Sequence, residues 1–143
     1  MSQLGKPSAL FWIVGVIALA WNGLGVGAYL QMVMMSAQDF SALPELQQKL
    51  MERQPVWHSA AFPLAVFSGF VGAIMLLLRK RIAVRLFLLS LVAVSVQFVG
   101  YFILDGYVEF ISGQGWIMPI IIPILAVGFW FFTRNSEKAG ILS

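Results

Sequence analysis

The sequence predicts an all-α integral membrane protein, built as an up-down bundle of four helices. Of its 143 residues, 60% are hydrophobic and only 10% are charged, whereas a soluble domain carries roughly 25% charged residues. Four uncharged, mostly apolar runs can each hold the roughly 20 helical residues that cross a bilayer. The chain has no cysteine, so disulfides and thiolate-ligated metal sites are excluded.

The first predicted helix covers about residues 8–35 and contains the glycine-rich stretch "WNGLGVG". A dinucleotide-binding loop would need a preceding strand and a helix start exposed to water, and this stretch has neither. Gly23 and Gly27 instead form a small-xxx-small pair, which lets a second helix approach closely in a membrane. We predict packing here, either against the second helix or against another copy of the chain. The matching small residues of the second helix are Ala65, Gly69 and Gly72.

The loop after the first helix, "SAQDFSALPELQQKLMERQPVW", predicts a short amphipathic helix at about residues 42–53 on the outer surface. Its leucines recur at three- and four-residue spacing: Leu43, Leu46 and Leu50. Ser41 suits the N-cap, Pro44 suits the first turn, and Pro55 should end the helix. The helix is either a connector packed on the mouth of the bundle or a lid over an outward-facing cavity.

The remaining membrane helices are predicted at about residues 57–79, 82–105 and 115–134, within one transmembrane domain that covers residues 1–143. Basic residues are concentrated on one side of the membrane: Lys6, Arg79, Lys80, Arg81, Arg85, Arg134 and Lys138. Only Lys49 and Arg53 fall on the other side. The positive-inside rule therefore predicts a multi-pass protein of the bacterial inner membrane with both termini in the cytoplasm. The turn between the second and third helices is short, so these two should be antiparallel neighbours.

A polar layer is predicted inside the bundle. Asn22 and Gln97 fall at about the same depth, and buried amides in hydrocarbon need partners, so we expect these two to face each other. Polar and aromatic residues above them predict a cavity with His58, Asp105 and Glu109 at its mouth. The candidate ligand-binding residues are Asn22, Tyr29, Trp57, His58, Gln97, Tyr101, Asp105 and Trp116. Aromatic walls with a few polar groups suit a neutral polyhydroxylated or amphipathic ligand.

These residues also have simpler interpretations. Trp and Tyr near helix ends commonly form the interfacial aromatic belt. His58, at a helix start, could be a solvated interface residue, and Asp105 and Glu109 could both face water.

Several functions are excluded by missing residues. No Asp, Glu, Lys, Arg or His side chain lies in the inner two-thirds of any predicted span, so the usual relay of a proton-coupled pump is absent. A single histidine provides neither a serine–histidine–acid set nor a pair of haem ligands. We therefore predict no enzyme, no cofactor and no metal site. The net charge of +3 is concentrated at helix ends, where lipid headgroups explain it, so no nucleic-acid partner is predicted.

Three stretches, "ALAWNGLGVGAYL", "ALPELQQKLMERQPVW" and "AVFSGFVGAIMLLLRKRIA", resemble a group of small four-helix proteins of bacterial inner membranes. Members of that group often carry the label "sugar transporter", which implies a sugar-like substrate. A looser similarity, limited to the glycine-rich second helix and the basic turn after it, is to DoxX-like membrane proteins. Some of those are linked to quinone-dependent oxidation.

These observations together predict a protein that binds or transports a small polar ligand, for example a sugar-like one, from the outer side. The alternative is an accessory or assembly subunit of a larger membrane complex, and a DoxX-like oxidoreductase subunit is a third interpretation. The expected partners are the lipid bilayer and either further copies of the chain or a larger complex.

Overall fold

The computed structural model describes residues 5–143, and within that range it is helical with no strand. In chain order the helices are α1 (Ala9–Val33), α2 (Ala37–Ser41), α3 (Glu45–Arg53), α4 (Val56–Leu77), α5 (Ile82–Ile103), α6 (Tyr107–Gln114) and α7 (Ile117–Lys138). Four of them, α1, α4, α5 and α7, are long and apolar enough to cross a membrane. The predicted all-α membrane bundle is confirmed.

The four long helices form an arc rather than a closed ring. α1 packs on α4, α4 on α5, and α5 on α7, whereas no comparable packing joins α1 to α7 over residues 5–143. We call the end of the bundle that holds the N- and C-terminal segments the terminal end, and the opposite end, with α2, α3 and α6, the loop end. At the terminal end α1 and α7 do meet, since the Phe11 and Phe132 rings lie 6.2 Å apart. The arc is therefore closed at the terminal end and open toward the loop end.

The hydrophobic core occupies the terminal half of the bundle. Its fully buried members come from α1, α4, α5 and the C-terminal segment: Phe11, Ala18, Ala73, Leu76, Ala83, Phe87 and Leu142. Toward the loop end this packing gives way to cavities. The bundle is therefore divided into a well-packed terminal half and a half that contains cavities.

The C-terminal segment is bound to the α4–α5 turn. The main chains of Arg79 and Arg81 form hydrogen bonds with that of Ser143. The Arg79 guanidinium donates two hydrogen bonds to main-chain carbonyls. Nε donates to Ile141 at 3.0 Å, and Nη2 donates to Gly5. Gly5 in turn donates its N–H to the Gly140 carbonyl at 2.8 Å. The basic turn predicted to set topology therefore also joins both chain ends to the bundle.

We expect Arg79→Ala to lower the free energy of unfolding by about 2 kcal/mol, because two hydrogen bonds from a charged donor are lost. Lys80→Ala is the matched control, since it removes the same charge from an exposed neighbour. Unfolding by SDS in mixed micelles measures both variants. Equal destabilisation would show that the charge matters and the hydrogen bonds do not.

The loop between α1 and α4 contains two helices where one was predicted. Ser41 does not cap α3 but ends α2, where its hydroxyl donates to the Ala37 carbonyl. Pro44 is the N-cap of α3 rather than a residue of its first turn, since its own ψ of 144° is extended and not helical. Helix α3 ends at Arg53, before Pro55.

Helix α6 was not predicted. Gly106, at φ +91°, reverses the chain after α5, and Gly115, at φ +109°, ends α6. Both backbone conformations favour glycine. Tyr107, Phe110, Ile111 and Gln114 follow the helical i, i+3, i+4, i+7 spacing and all line one cavity. That spacing was readable in the sequence and is the signal that could have revealed the helix.

α1 and α4 pack together near the predicted glycines, but Gly23 and Gly27 are not the points of closest approach, and a contact between copies at this pair stays a prediction. A Cβ at Gly27 would have no described heavy atom within 4 Å, and one at Gly23 would make only ordinary contact with Phe70. The close approach of α4 to α1 is instead at Gly69, where a Cβ would overlap the Asn22 amide. A second is at Gly25, where a Cβ would come within 2.7 Å of Val66.

The other two predicted counterparts on α4 face α5 rather than α1. A Cβ at Gly72 would meet Leu86 and Phe87, and the Ala65 carbonyl accepts a hydrogen bond from the Ser90 hydroxyl at 2.8 Å. The small residues of α4 are therefore divided between two helix contacts, which makes α4 the centre of the bundle.

Candidate functional site

The hollow half of the bundle contains two adjoining chambers. The deep chamber, about 340 Å³, lies between α1, α4, α5 and α7. The loop-end chamber, about 650 Å³, is covered by α3 and α6. The side chains that line both chambers are Ala28, Gln97, Tyr101, Met118 and Ile122. These shared residues mark the level at which one chamber passes into the other.

The deep chamber is mainly apolar. Trp21, Phe87 and Phe129 line its terminal side, where the rings of the last two lie 6.0 Å apart. Its few polar side chains include Ser90, whose hydroxyl is engaged by the Ala65 carbonyl. Such a lining suits an apolar group more than a hydroxylated one, because buried hydroxyls without partners are costly.

Asn22 and Gln97 both line the deep chamber, but the structure does not pair them. The Asn22 Nδ2 donates to the Ala18 carbonyl on its own helix at 2.9 Å. Its side-chain oxygen lies beside Gly69. The expected amide pair is replaced by this local bond, because α1 packs on α4 while α5 lies beyond it.

Gln97 is the most informative polar residue of the site. It is half-buried within α5, lines both chambers, and its side-chain amide forms no hydrogen bond with any residue from 5 to 143. An amide held in apolar surroundings is unfavourable unless water or a ligand satisfies it. Its position at the junction of the chambers makes it available to a ligand that spans them.

The lining of the loop-end chamber is polar but uncharged. Five glutamines contribute to it: Gln31, Gln47, Gln54, Gln97 and Gln114. No aspartate, glutamate, lysine or arginine is among the described residues that line either chamber. A glutamine amide both donates and accepts hydrogen bonds, so several of them around one space match a ligand with hydroxyl or amide groups.

His58 is a buried structural link, not the solvated interface residue that was one interpretation of it. Its side chain is 1% exposed. The side-chain amide of Gln54 donates to His58 Nδ1 at 2.8 Å. The proton of the ring therefore lies on Nε2, which donates to the main-chain carbonyl of Gln97 at 3.2 Å. His58 thereby connects the end of α3 to α5 at the chamber wall.

An aromatic cluster surrounds this histidine. The His58 ring lies 5.6 Å from the Tyr101 ring and 5.0 Å from the Tyr107 ring. Both ring pairs are arranged edge to face, which is a favourable geometry for aromatic rings. Tyr107 also lines the loop-end chamber, and burial raises the pKa of its hydroxyl above the ordinary value.

Half of the eight candidate ligand-binding residues lie outside the chambers. Tyr29 packs on the Phe62 and Phe67 rings of α4. Trp116 stacks on Phe102 at 5.6 Å. Trp57 is 46% exposed and lines neither chamber, and the exposed carboxylate Asp105 lies outside both as well. Glu109, also expected at the mouth, is exposed outside both linings. The described lining of the chambers therefore contains glutamines and no carboxylates.

The sequence reasoning missed most of the loop-end lining. Three of the five glutamines, Gln47, Gln54 and Gln114, lie on or just after α3 and α6. Four methionines also line this chamber: Met32, Met35, Met51 and Met118. Their flexible thioethers give an adaptable apolar surface. The spacing of the glutamines along α3 can be seen in the sequence, but the sequence does not show whether they face the chamber or the solvent.

Among residues 5–143, no three His, Asp or Glu side chains come close enough together to hold a metal ion. No protein-family model matches the chain, and no curated protein or solved structure is significantly similar to it.

Proposed function

We propose that this protein binds a small neutral ligand with hydroxyl or amide groups and carries it to or through the membrane. The observation that supports this most is the unpaired Gln97 amide at the junction of the two chambers. The other loop-end glutamines surround the same space without any charged neighbour among the described lining residues. A charged ligand would find no counter-charge there and would lose its hydration, which favours a neutral, sugar-like molecule.

The protein takes its ligand from the outer side of a bacterial inner membrane. The basic residues around the α4–α5 turn, Arg79, Lys80, Arg81 and Arg85, lie at the terminal end. The positive-inside rule then assigns the terminal end to the cytoplasm. The chambers lie toward the opposite end, so they occupy the outer half of the bundle.

An accessory role in a larger membrane complex, or in a homo-oligomer, is the second proposal. It is favoured by α7, which is the least buried of the four long helices. Exposed apolar residues recur along one stripe of that helix: Ile117, Ile120, Ile124, Val127 and Phe131. A neighbouring helix on this stripe would give α7 the packing that it lacks within the chain.

Ala28→Trp should remove the ligand without unfolding the protein. Ala28 lines both chambers, so an indole there fills their junction. Gly27→Trp is the matched control, because the adjacent Gly27 lines neither chamber and has open space beside it. Native mass spectrometry of protein released from a mild zwitterionic detergent measures the occupancy of any co-purified neutral adduct. We expect at least roughly tenfold lower occupancy in Ala28→Trp, about 1.4 kcal/mol of binding free energy, and wild-type occupancy in Gly27→Trp.

Two results would contradict the ligand proposal. One is an adduct retained equally by both variants, since the ligand would then lie elsewhere. The other is a wild-type protein that carries no adduct but stays bound to a larger polypeptide, which would favour the accessory role.

A further inference from the structure

We propose that the ligand of this cavity is an amphiphile, with a neutral polyhydroxylated head in the loop-end chamber and an apolar chain in the deep chamber, and that it enters sideways from the bilayer between α1 and α7. This inference rests on the proposed function and specifies the class of its ligand. It separates a glycolipid-like molecule from a free sugar.

The first support is the difference in chemistry between the two chambers. The deep chamber ends on the aromatic side chains Trp21, Phe87 and Phe129, where the hydroxyls of a free sugar would lose hydrogen bonds to water. The loop-end chamber offers five glutamine amides. Gln97 and Tyr101 line both chambers and therefore lie where the head of an amphiphile would join its chain.

The second support is the missing wall on the membrane side. α1 and α7 are the two ends of the arc, and they converge at the terminal end, where Phe11 meets Phe132. Leu24 of α1 lines the deep chamber although it is 74% exposed, and Met118 of α7 lines both chambers at 54% exposure. Because Leu24 and Met118 line a chamber and are also exposed on the outside of the bundle, they mark the two edges of an opening between α1 and α7. In a membrane that opening faces lipid, so a chain can pass through it without leaving hydrocarbon.

The third support is the adaptable surface beside this opening. Met118 and Met32 come from α7 and α1, and Met35 and Met51 complete the methionine lining of the loop-end chamber. Unbranched thioether side chains adjust to irregular apolar shapes. They suit the first methylenes of a chain that bends from the head group toward the gap.

The first experiment compares octyl glucoside with glucose, using protein in lipid nanodiscs and native mass spectrometry. We expect octyl glucoside to bind at least roughly 100-fold more tightly than glucose, since each buried methylene contributes up to about a fourfold gain. Ala126→Trp fills the deep chamber and should abolish most of this gain while leaving the weak binding of glucose unchanged. The control Val127→Trp changes an exposed neighbour that does not line the chamber, and it corrects for partition of the probe into lipid.

The second experiment tests the sideways entry. The chain has no cysteine, so Leu24→Cys with Met118→Cys supplies the only two thiols. Bismaleimides of graded length bridge them, and N-ethylmaleimide alkylates them without a bridge. We expect the bridge to slow octyl glucoside uptake at least roughly tenfold when it is made before loading, because the route through the gap is then closed. When it is made after loading, it should slow release by a similar factor.

The outcomes separate the two proposals. Glucose binding as tight as that of octyl glucoside would overturn the amphiphile and leave the proposed function standing. Identical uptake by bridged and alkylated protein would overturn the sideways route. If neither probe binds the wild-type protein, the proposed function fails and the inference fails with it.

Discussion

His58→Ala should lower the free energy of unfolding by about 3 kcal/mol and release α3 from the bundle. The imidazole is fully buried and joins Gln54 to the Gln97 carbonyl. Its removal leaves a cavity beside Tyr101 and Tyr107 and deprives two part-buried polar groups of their partner, and together these losses cost about 3 kcal/mol. Unfolding in mixed micelles measures the stability. Hydrogen exchange of the α3 amides measures the release, which we expect as faster exchange over Glu45–Arg53.

Ser59→Ala is the control for this variant. Ser59 is the next residue along α4, is exposed, and donates only to the Val56 carbonyl of its own helix. Its loss should change stability by no more than about 0.5 kcal/mol. If the two variants unfold alike and α3 exchanges at the same rate in both, His58 does not hold α3 in place.

Gly69→Leu should disrupt the bundle, whereas Gly27→Leu should leave it intact. At Gly69 any Cβ overlaps the Asn22 amide, and α1 must move away from α4 to admit a leucine. Overpacking of this kind costs about 1–3 kcal/mol and sometimes more. At Gly27 a Cβ would have no described heavy atom within 4 Å, so leucine should gain helix propensity and cost nothing within one chain.

Thermal unfolding in detergent, together with the oligomeric state by native mass spectrometry, measures this pair. A stable but monomeric Gly27→Leu protein, from a wild type that is oligomeric, would assign Gly27 to a contact between copies. Equal stability of the two variants would contradict the close approach of α1 and α4 at Gly69.

The membrane helices were predictable because their signals are local. Length and hydropathy identify a span by itself, and the observed ends of α1, α4 and α5 lie within about two residues of the expected ones. α7 instead continues to Lys138, because its last turn is polar and remains helical beyond the apolar run. The short helices α3 and α6 were less predictable, since the backbone geometry of Pro44 and Gly106 decides where they begin.

The candidate site was only partly predictable, because depth can be counted along a sequence but the facing direction cannot. Counting along the helices gave the correct depth for the four predicted ligand-binding residues that line a chamber: Asn22, His58, Gln97 and Tyr101. Tyr29 lies at a similar depth and yet packs on α4. Its helix is apolar on every side, so no amphipathic pattern indicates which face meets the chambers.

Hydrophobic length and charge position act within each segment, so the sequence alone predicts a four-helix membrane bundle with most of its basic residues at one end. The tertiary structure decided that the bundle is an open arc and that glutamines from α1, α3, α5 and α6 converge on one uncharged space. It also decided that His58 joins α3 to α5. These features depend on how helices rotate and cross, and small residues such as Gly69 set those relations only when their neighbours are in place.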